Sequence, residues 1–527
     1  MKALLLVSLF SGAALCASAG ESVFESGTSV PPTKSGLQVA PLGKLDSFVF
    51  ARLQKKGLEP ALPCSDGVFV RRVYLDVIGT LPTADEARAF LDDPSPQKRS
   101  ALIDRLLERD EFADYWGMKW GDLLRVKSEF PVNLWPNAAQ AYDRWIRTAL
   151  RQNRPYPQCV RELLTASGSN FRSPAVNFYR TAGSHDPQAL ARIAALAFLG
   201  ERMEKWPEEK RAAFAVFFSQ IGFKATGEWK EEIVTFSGVD EKTKPQTRAA
   251  FPDGTRVSLP PEKDPREVLA NWLVSSPNSP LARVAVNRVW YWLLGQGIVQ
   301  EPDDFRRDNP PSHPELLAWL ARELTDSHYD LKHIYRLILN SRTYQLSCIP
   351  SAHPGGPADF AAYPLRRLDA EVVIDALNQI TGKTDEYSSM TPEPFTWIPP
   401  EKRSIALPDG SISSAFLDLF GRPPRDSGLL AERNNRATAA QRLHLLNSAH
   451  IRSKLSDSQP LRALFRVAGN PEKAVAPLYL TILSRYPTAD EEAAFKTYLQ
   501  SAEAKGDNAL GDLAWALVNN TEFLYRH

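Results

Sequence analysis

The residues in this 527-residue chain whose types and spacing best suit chemistry form one mixed run, Asp303-Asp304-Phe305-Arg306-Arg307-Asp308-Asn309, just before a helix start. Carboxylate and amide oxygens at that density are the hard donors that a Ca²⁺ ion or a sugar hydroxyl takes. The run lacks the spacing of an EF-hand loop, and Arg306 and Arg307 can neutralise its carboxylates. A structural ion-pair network is therefore the first expectation and a ligand site the second. Arg288 is the sharper oddity, because it falls in the strongly apolar stretch 281–294. A guanidinium there needs a carboxylate partner, with Asp303, Asp304 or Glu371 the candidates. A clamp between helices is the default role, and a pocket arginine holding an anionic substrate is the alternative. Arg366-Arg367 ahead of Glu371 reads the same way. The candidate polar cluster is thus Arg288, Asp303, Asp304, Arg306, Arg367 and Glu371.

Aromatic residues offer a second kind of site. Trp116 with Trp120, and Trp290-Tyr291-Trp292, could stack on sugar rings, but aromatics at helical spacing in apolar segments are first expected in a core. Trp135 and Trp397 lie close to prolines in loops and are the candidates for an exposed platform. Histidine adds little. No HExxH or other zinc spacing occurs, so no metal site is expected, and capping or surface roles are the default for His313, His328, His333, His444 and His450. Gly168-Ser-Asn170 is not a nucleophile elbow, and Gly295-Gln-Gly297 is no nucleotide fingerprint.

The elements that must position these residues are mostly helices. Residues 309–347 spell a helical hairpin: Ser312 with Glu315 reads as a capping box, and Pro314 fits the first turn. Leu316, Leu317, Leu320 and Leu324 share a face, and Asp330 caps the second helix. Thr83 with Glu86 is another capping box, and Gly57 is a helix stop. Residues 222–263 differ: 232–236 and 255–259 alternate at period two around the turn signal Asp253-Gly254, which suggests a small strand pair or an extended connector. Residues 383–429, rich in Pro, Ser and Gly, read as a long irregular excursion. The sequence predicts a mainly α protein: a linker over 20–41, an N-terminal helical domain over 42–221, a β-containing connector over 222–263 and a C-terminal helical domain over 264–527. An ungapped echo links Tyr74-Leu-Asp-Val-Ile-Gly-Thr-Leu-Pro-Thr-Ala-Asp-Glu86 to Tyr479-Leu-Thr-Ile-Leu-Ser-Arg-Tyr-Pro-Thr-Ala-Asp-Glu491. Each copy is followed later by Glu-Phe, at Glu111-Phe112 and Glu522-Phe523. Duplication and convergence on a common helix–turn–helix solution both account for it.

Residues 1–19 have the layout of a secretory leader: Lys2, an apolar stretch too short to span a bilayer, and Ala17-Ser-Ala19 as the cleavage site. A periplasmic or secreted mature protein is expected, with no membrane span. The chain carries 63 basic and 62 acidic residues, with Lys2 inside the leader. Such a balance gives no global attraction to nucleic acid or anionic lipid. Cys64, Cys159 and Cys348 lie far apart without CxxC spacing, so at most one disulfide can form among them.

Several motifs resemble one family. Leu75-Asp76…Gly79-Thr-Leu-Pro-Thr83, Trp116…Trp120-Gly-Asp-Leu-Leu124 and Phe198-Leu-Gly200 look like its first domain. Asn287-Arg-Val-Trp290, Gly295-x-Gly297-Ile-Val299, Asp303-Asp-Phe305, Arg366-Arg-Leu368, Phe416-Leu-Asp-Leu-Phe-Gly421 and Leu445-Leu-Asn447 look like its second. The chain resembles the planctomycete-type secreted proteins that pair two domains of unknown function, often beside a cytochrome-c-like module. The resemblance implies an extracytoplasmic, mainly helical protein and names no reaction. Many relatives carry Cys-x-x-Cys-His after the Phe-Leu-Gly. Here Glu201-Arg-Met-Glu-Lys-Trp206 follows, so no haem c, and no other cofactor, is expected. The expected role is binding or scaffolding in the cell envelope, with an envelope protein or a polysaccharide as partner. The alternative is a glycan-active hydrolase or lyase.

Overall fold

The computed structural model describes residues 39–236, 248–260, 262–275, 280–501 and 507–527. The secretory-leader reading of 1–19 and most of the 20–41 linker lie outside the described residues. Helix accounts for 55% of the described residues and strand for 6%, which makes the fold mainly α.

Local chemistry explains where many helices start and stop. Thr83 Oγ1 accepts from the Glu86 N–H at 3.2 Å, and the Glu86 carboxylate takes the Thr83 N–H at 2.8 Å. The helix Ala84–Asp92 therefore opens on the predicted box. Asp330 caps Leu331–Leu339 through the His333 N–H at 2.9 Å. Gly57, at φ 67°, closes Lys44–Lys56 in the left-handed region that glycine adopts without strain. The box expected at Ser312 and Glu315 does not form. The helix Pro314–Asp326 starts after His313 without a side-chain cap, and Ser312 turns instead to the 295–299 loop. Its N–H and its hydroxyl both donate to the Ile298 carbonyl, at 2.7 and 3.2 Å. With that N–H already spent, Glu315 has no cap to complete.

The strands correct a second expectation. β1 (Gly168–Ser169), β2 (Ile221–Ala225) and β3 (Glu232–Phe236) form one antiparallel sheet in the order β1-β3-β2. β4 (Arg248–Ala250) and β5 (Arg256–Ser258) form a separate hairpin. The segments 232–236 and 255–259 thus do not pair with each other. Each has a nearer partner: Glu231 closes the β2–β3 turn through Thr226, and Asp253 accepts from the Thr255 N–H at 2.9 Å in the turn between β4 and β5. β6 (Arg366–Arg367) pairs with β7 (Tyr525–Arg526) and so brings the end of the chain back to the middle of the sequence.

The sequence echo has a counterpart in space. In the first copy Arg109 bridges the capping glutamate Glu86 to Glu111; in the second Arg485 bridges Glu491 to Glu522. The two arginines come from different sequence positions yet join the same pair of glutamates. The units also touch: Arg71 donates to the carbonyls of Ile482 and Phe523 at 2.9 and 2.8 Å. The likeness is one of arrangement and not of aligned positions, and duplication and convergence both still account for it.

One continuous cluster of buried apolar side chains runs from Leu45 to Phe523. Trp116 and Trp120 lie inside it, as their helical spacing predicted, and Trp116 packs on Trp292 at 5.5 Å and Tyr335 at 4.4 Å. Residues from both ends of the sequence therefore share one core.

Candidate functional site

Three groups of side chains stand out, and the largest is buried. The helices Asp66–Val77 and Asp110–Leu123 carry Asp76, Lys119 and Asp122 inward, and the first also buries Arg71 and Arg72. The second half of the chain answers with Asp369, Glu371, Arg422, Arg425, Arg433 and Arg526, all buried or nearly so. Arg433 reaches Asp122 at 2.7 Å and Glu371 at 2.6 Å, while Arg425 takes Asp122 at 2.9 Å. Lys119 and Arg526 meet Asp369 at 2.8 and 3.0 Å, and Asn435 donates to it at 2.8 Å. Asp76 accepts from the hydroxyls of Tyr344 and Tyr363 and forms an ion pair with Arg526 at 2.9 Å. Burial alone would push the Asp369 carboxyl up, but Lys119, Arg526 and Arg433 hold it well below the usual carboxylate range. Burial also brings Lys119 down to about 8, against the pull of Asp369. The network is a clamp of interleaved opposite charges between the two halves of the chain. The sequence reading found only Glu371 of it. Asp76, Lys119 and Asp122 gave the same signal as Arg288, a charge within an apolar helix.

The second group holds most of the sequence candidates. Arg288, fully buried on Pro280–Leu294, donates to the carbonyls of Ala197 and Leu196 at 2.5 and 2.6 Å and meets Asp303 at 3.3 Å. Those carbonyls belong to the π-helical turn Ala195–Leu199. Asp303 also accepts the Leu430 N–H at 2.8 Å. Asp304 pairs with Lys205 at 2.8 Å and Arg306 at 2.9 Å, and Arg306 reaches Asp308 at 2.9 Å. Burial favours the protonated form of Asp304, and Lys205 and Arg306 outweigh it, leaving the pKa low. Glu201 behaves oppositely: burial raises its pKa, and Asp304 adds to the rise. So Arg288, Asp303, Asp304 and Arg306 lie together, while Glu371 belongs to the first network. Arg367 joins neither, since its guanidinium binds the carbonyls of Phe420, Asn434 and Asn435. Among the described residues no group of three or more His, Cys, Asp or Glu side chains is arranged to hold a metal ion. Cys64, Cys159 and Cys348 are not joined in disulfides. His313 is neither capping nor exposed. It is buried against Phe360, ring centroids 5.3 Å apart, because the turned-away Ser312 draws it inward.

The third group is on the surface. Trp135, half-buried at the start of Pro136–Arg151, meets Phe395 at 5.2 Å and Trp229 at 6.4 Å, both edge-on. The Lys230 ammonium sits 5.7 Å from the Trp135 ring and 5.4 Å from the Trp229 ring. Trp229 is 69% exposed and Phe395 43%. Glu129 accepts from Ser389 and Met390 at 2.9 and 3.0 Å and ties the 389–390 segment to the loop bearing Phe130. Phe130 and Met390 are themselves largely exposed, as is Trp397 at 63%. Among the described residues no ring contact joins Trp397 to Trp135. Three loops distant in sequence thus converge on one aromatic patch. Sequence reading identified Trp135 and missed Trp229 and Phe395, whose polar neighbours gave no sign of the convergence.

Residues 44–213 match the PSCyt2 family model, described as a protein of unknown function (DUF1549). Residues 265–499 match PSD1, likewise a protein of unknown function (DUF1553). No curated protein and no solved structure matches the chain.

Proposed function

The chain pairs a DUF1549 domain with a DUF1553 domain, and from that premise we propose that it is a binding or scaffold protein of the cell envelope whose ligand is a polysaccharide held at the Trp135 patch. The organisation that goes with this reading is a leader cleaved near Ala19 and helical domains over 42–221 and 264–527. The observation that carries it is the convergence of Trp135, Trp229 and Phe395, two of them exposed, from three separate loops. Exposed apolar surface gathered in one place marks an interaction site. An indole face carries partial negative charge. The axial C–H groups of a pyranose present a slightly positive apolar face that fits it. The mutually edge-on rings offer faces in different directions, which suits a bent chain of sugars better than a flat ring system. Lys230 supplies a cation beside the rings for an acidic substituent. The test is binding of the purified protein to a panel of neutral and acidic polysaccharides, with Trp135→Ala and Trp229→Ala beside wild type. Truncating a hot-spot tryptophan weakens binding by roughly 30-fold.

A specific feature favours glycan hydrolysis as the second reading. Glu201 and Asp304 are carboxyl groups driven in opposite directions, the division of labour of an acid and its partner. It ranks behind the first because both Asp304 oxygens are already engaged by Lys205 and Arg306. Product release from a bound polysaccharide, abolished in Glu201→Gln with binding retained, would promote it.

A further inference from the structure

Apart from the three groups above, two histidine rings meet at a break between helices. His444 lies in the last turn of Ala439–Asn447, and His450 in the first turn of Ala449–Ser456. Ser448 separates the two: its extended backbone stops the first helix, and its hydroxyl accepts the Ile451 N–H at 3.3 Å to cap the second. The turn brings Nε2 of His444 to 3.3 Å from Nδ1 of His450. On its other side the His450 ring bonds Asp385, Nε2 to Oδ1, at 2.7 Å. Lys454 pairs with the remaining Asp385 oxygen at 2.8 Å, so the carboxylate is held in place. Phe416 and Phe420 pack edge-to-face against His444, at 5.6 and 6.3 Å. Both imidazoles are half-buried, so solvent reaches them.

Each of these details suits a metal ligand. A carboxylate that takes the proton of one imidazole nitrogen leaves the other with its lone pair, which is how metal-ligating histidines are oriented. Two nitrogens about 2.0–2.1 Å from one Zn²⁺ and 3.3 Å from each other subtend about 107° at the ion, close to the tetrahedral angle. On a square-planar ion the same two ligands would stand only about 2.9 Å apart. We propose that His444 and His450 bind a Zn²⁺ ion between their facing nitrogens, with Asp385 as the positioning residue behind His450. On binding, the ring proton of His444 passes to its Nδ1, so both facing nitrogens offer lone pairs and no proton is lost. A small rotation of each ring turns those lone pairs from each other toward a common point. Two protein ligands leave the remaining coordination positions to water, so the site is open and not a closed structural centre. The histidine spacing belongs to no zinc motif, because the break at Ser448 is what brings the rings together.

The experiment is a calorimetric titration of the purified protein with Zn²⁺, beside a Co²⁺ titration read by visible absorption. One Zn²⁺ per chain should bind with a Kd on the order of 10 µM, roughly what two of the four ligands of a structural zinc site supply. Co²⁺ should develop the intense visible bands of a four-coordinate ion, and Zn²⁺, the stronger binder, should bleach them. His444→Ala and His450→Ala should each weaken Zn²⁺ binding at least about 30-fold. Asp385→Asn should weaken it about tenfold, the usual loss when an orienting carboxylate is removed. His444→Gln takes the place of a histidine variant that fails to fold by circular dichroism, and the Co²⁺ spectrum of wild type needs no variant. No Zn²⁺ binding up to about 1 mM, only the weak absorption of six-coordinate Co²⁺, or Zn²⁺ affinity undiminished in a folded histidine variant would overturn the proposal. None of these outcomes depends on the Trp135 patch, whose own test is separate.

Discussion

Asp369 shows what a single residue holds together. Its oxygens take Lys119, Arg526 and Asn435, so removing the carboxylate leaves buried Lys119 without its ion-pair partner and Arg526 with Asp76 alone. Breaking a buried pair from one side costs about 3–5 kcal/mol. Asp369→Ala is expected to lose that much in urea unfolding, and a loss under about 1 kcal/mol would show that the network contributes little. His313 gives a pH signature. Burial lowers its pKa to about 4, from an ordinary 6.5. Between those values the unfolded chain binds a proton that the folded chain refuses, so stability falls as pH drops from about 6.5 to about 4. A shift of that size corresponds to on the order of 3 kcal/mol. In His313→Leu the slope of stability against pH over that window should flatten, and an unchanged slope would assign it to other groups. The clamp role of Arg288 was legible from its sequence, because a guanidinium in an apolar helix permits few alternatives. The burial of His313 was not. It follows from where Ser312 turns, and that is decided by a loop packed alongside.

Among the elements, caps were the most readable feature and also the place where reading failed once. Thr83–Glu86 closes its box because nothing competes for the Thr83 N–H. At Ser312 the Ile298 carbonyl competes and wins. Stability measurements can separate the cases. Thr488 caps Ala489–Leu499 as Thr83 caps its helix, accepting the Glu491 N–H at 3.2 Å, so Thr83→Ala and Thr488→Ala should each cost about 1 kcal/mol, as lost caps do. Glu315→Ala should cost under about 0.5 kcal/mol, since its carboxylate completes no cap and only the helix dipole feels it. An equal cost at Glu315 and Glu86 would restore the box at Ser312. Strand location was legible from alternation over 232–236 and 255–259, but partner choice was not. Each segment pairs across a short turn with the strand next to it in sequence, and alternation alone does not name that strand.

For the whole molecule, the two halves share a core and a buried charge network. The sequence announced the mainly α class through its helical periodicities. It could not announce how closely the halves interlock, because the charges come from segments far apart in sequence and find their opposite partners only once the halves are assembled. The expected consequence is one cooperative unfolding transition in calorimetry, and two separated transitions would show that the halves are energetically independent. The aromatic patch was half legible for the same reason: Trp135 was visible beside its proline, whereas Trp229 and Phe395 matter only once three loops meet. The most direct measurement is therefore quantitative binding of the intact purified protein to the polysaccharide panel, with Trp135→Ala and Trp229→Ala checked for unchanged fold by circular dichroism. Saturable binding by wild type to at least one polysaccharide, weakened roughly 30-fold in both variants, is the expected result. Wild-type protein that binds none of them, or variants that bind as well as wild type, would contradict it.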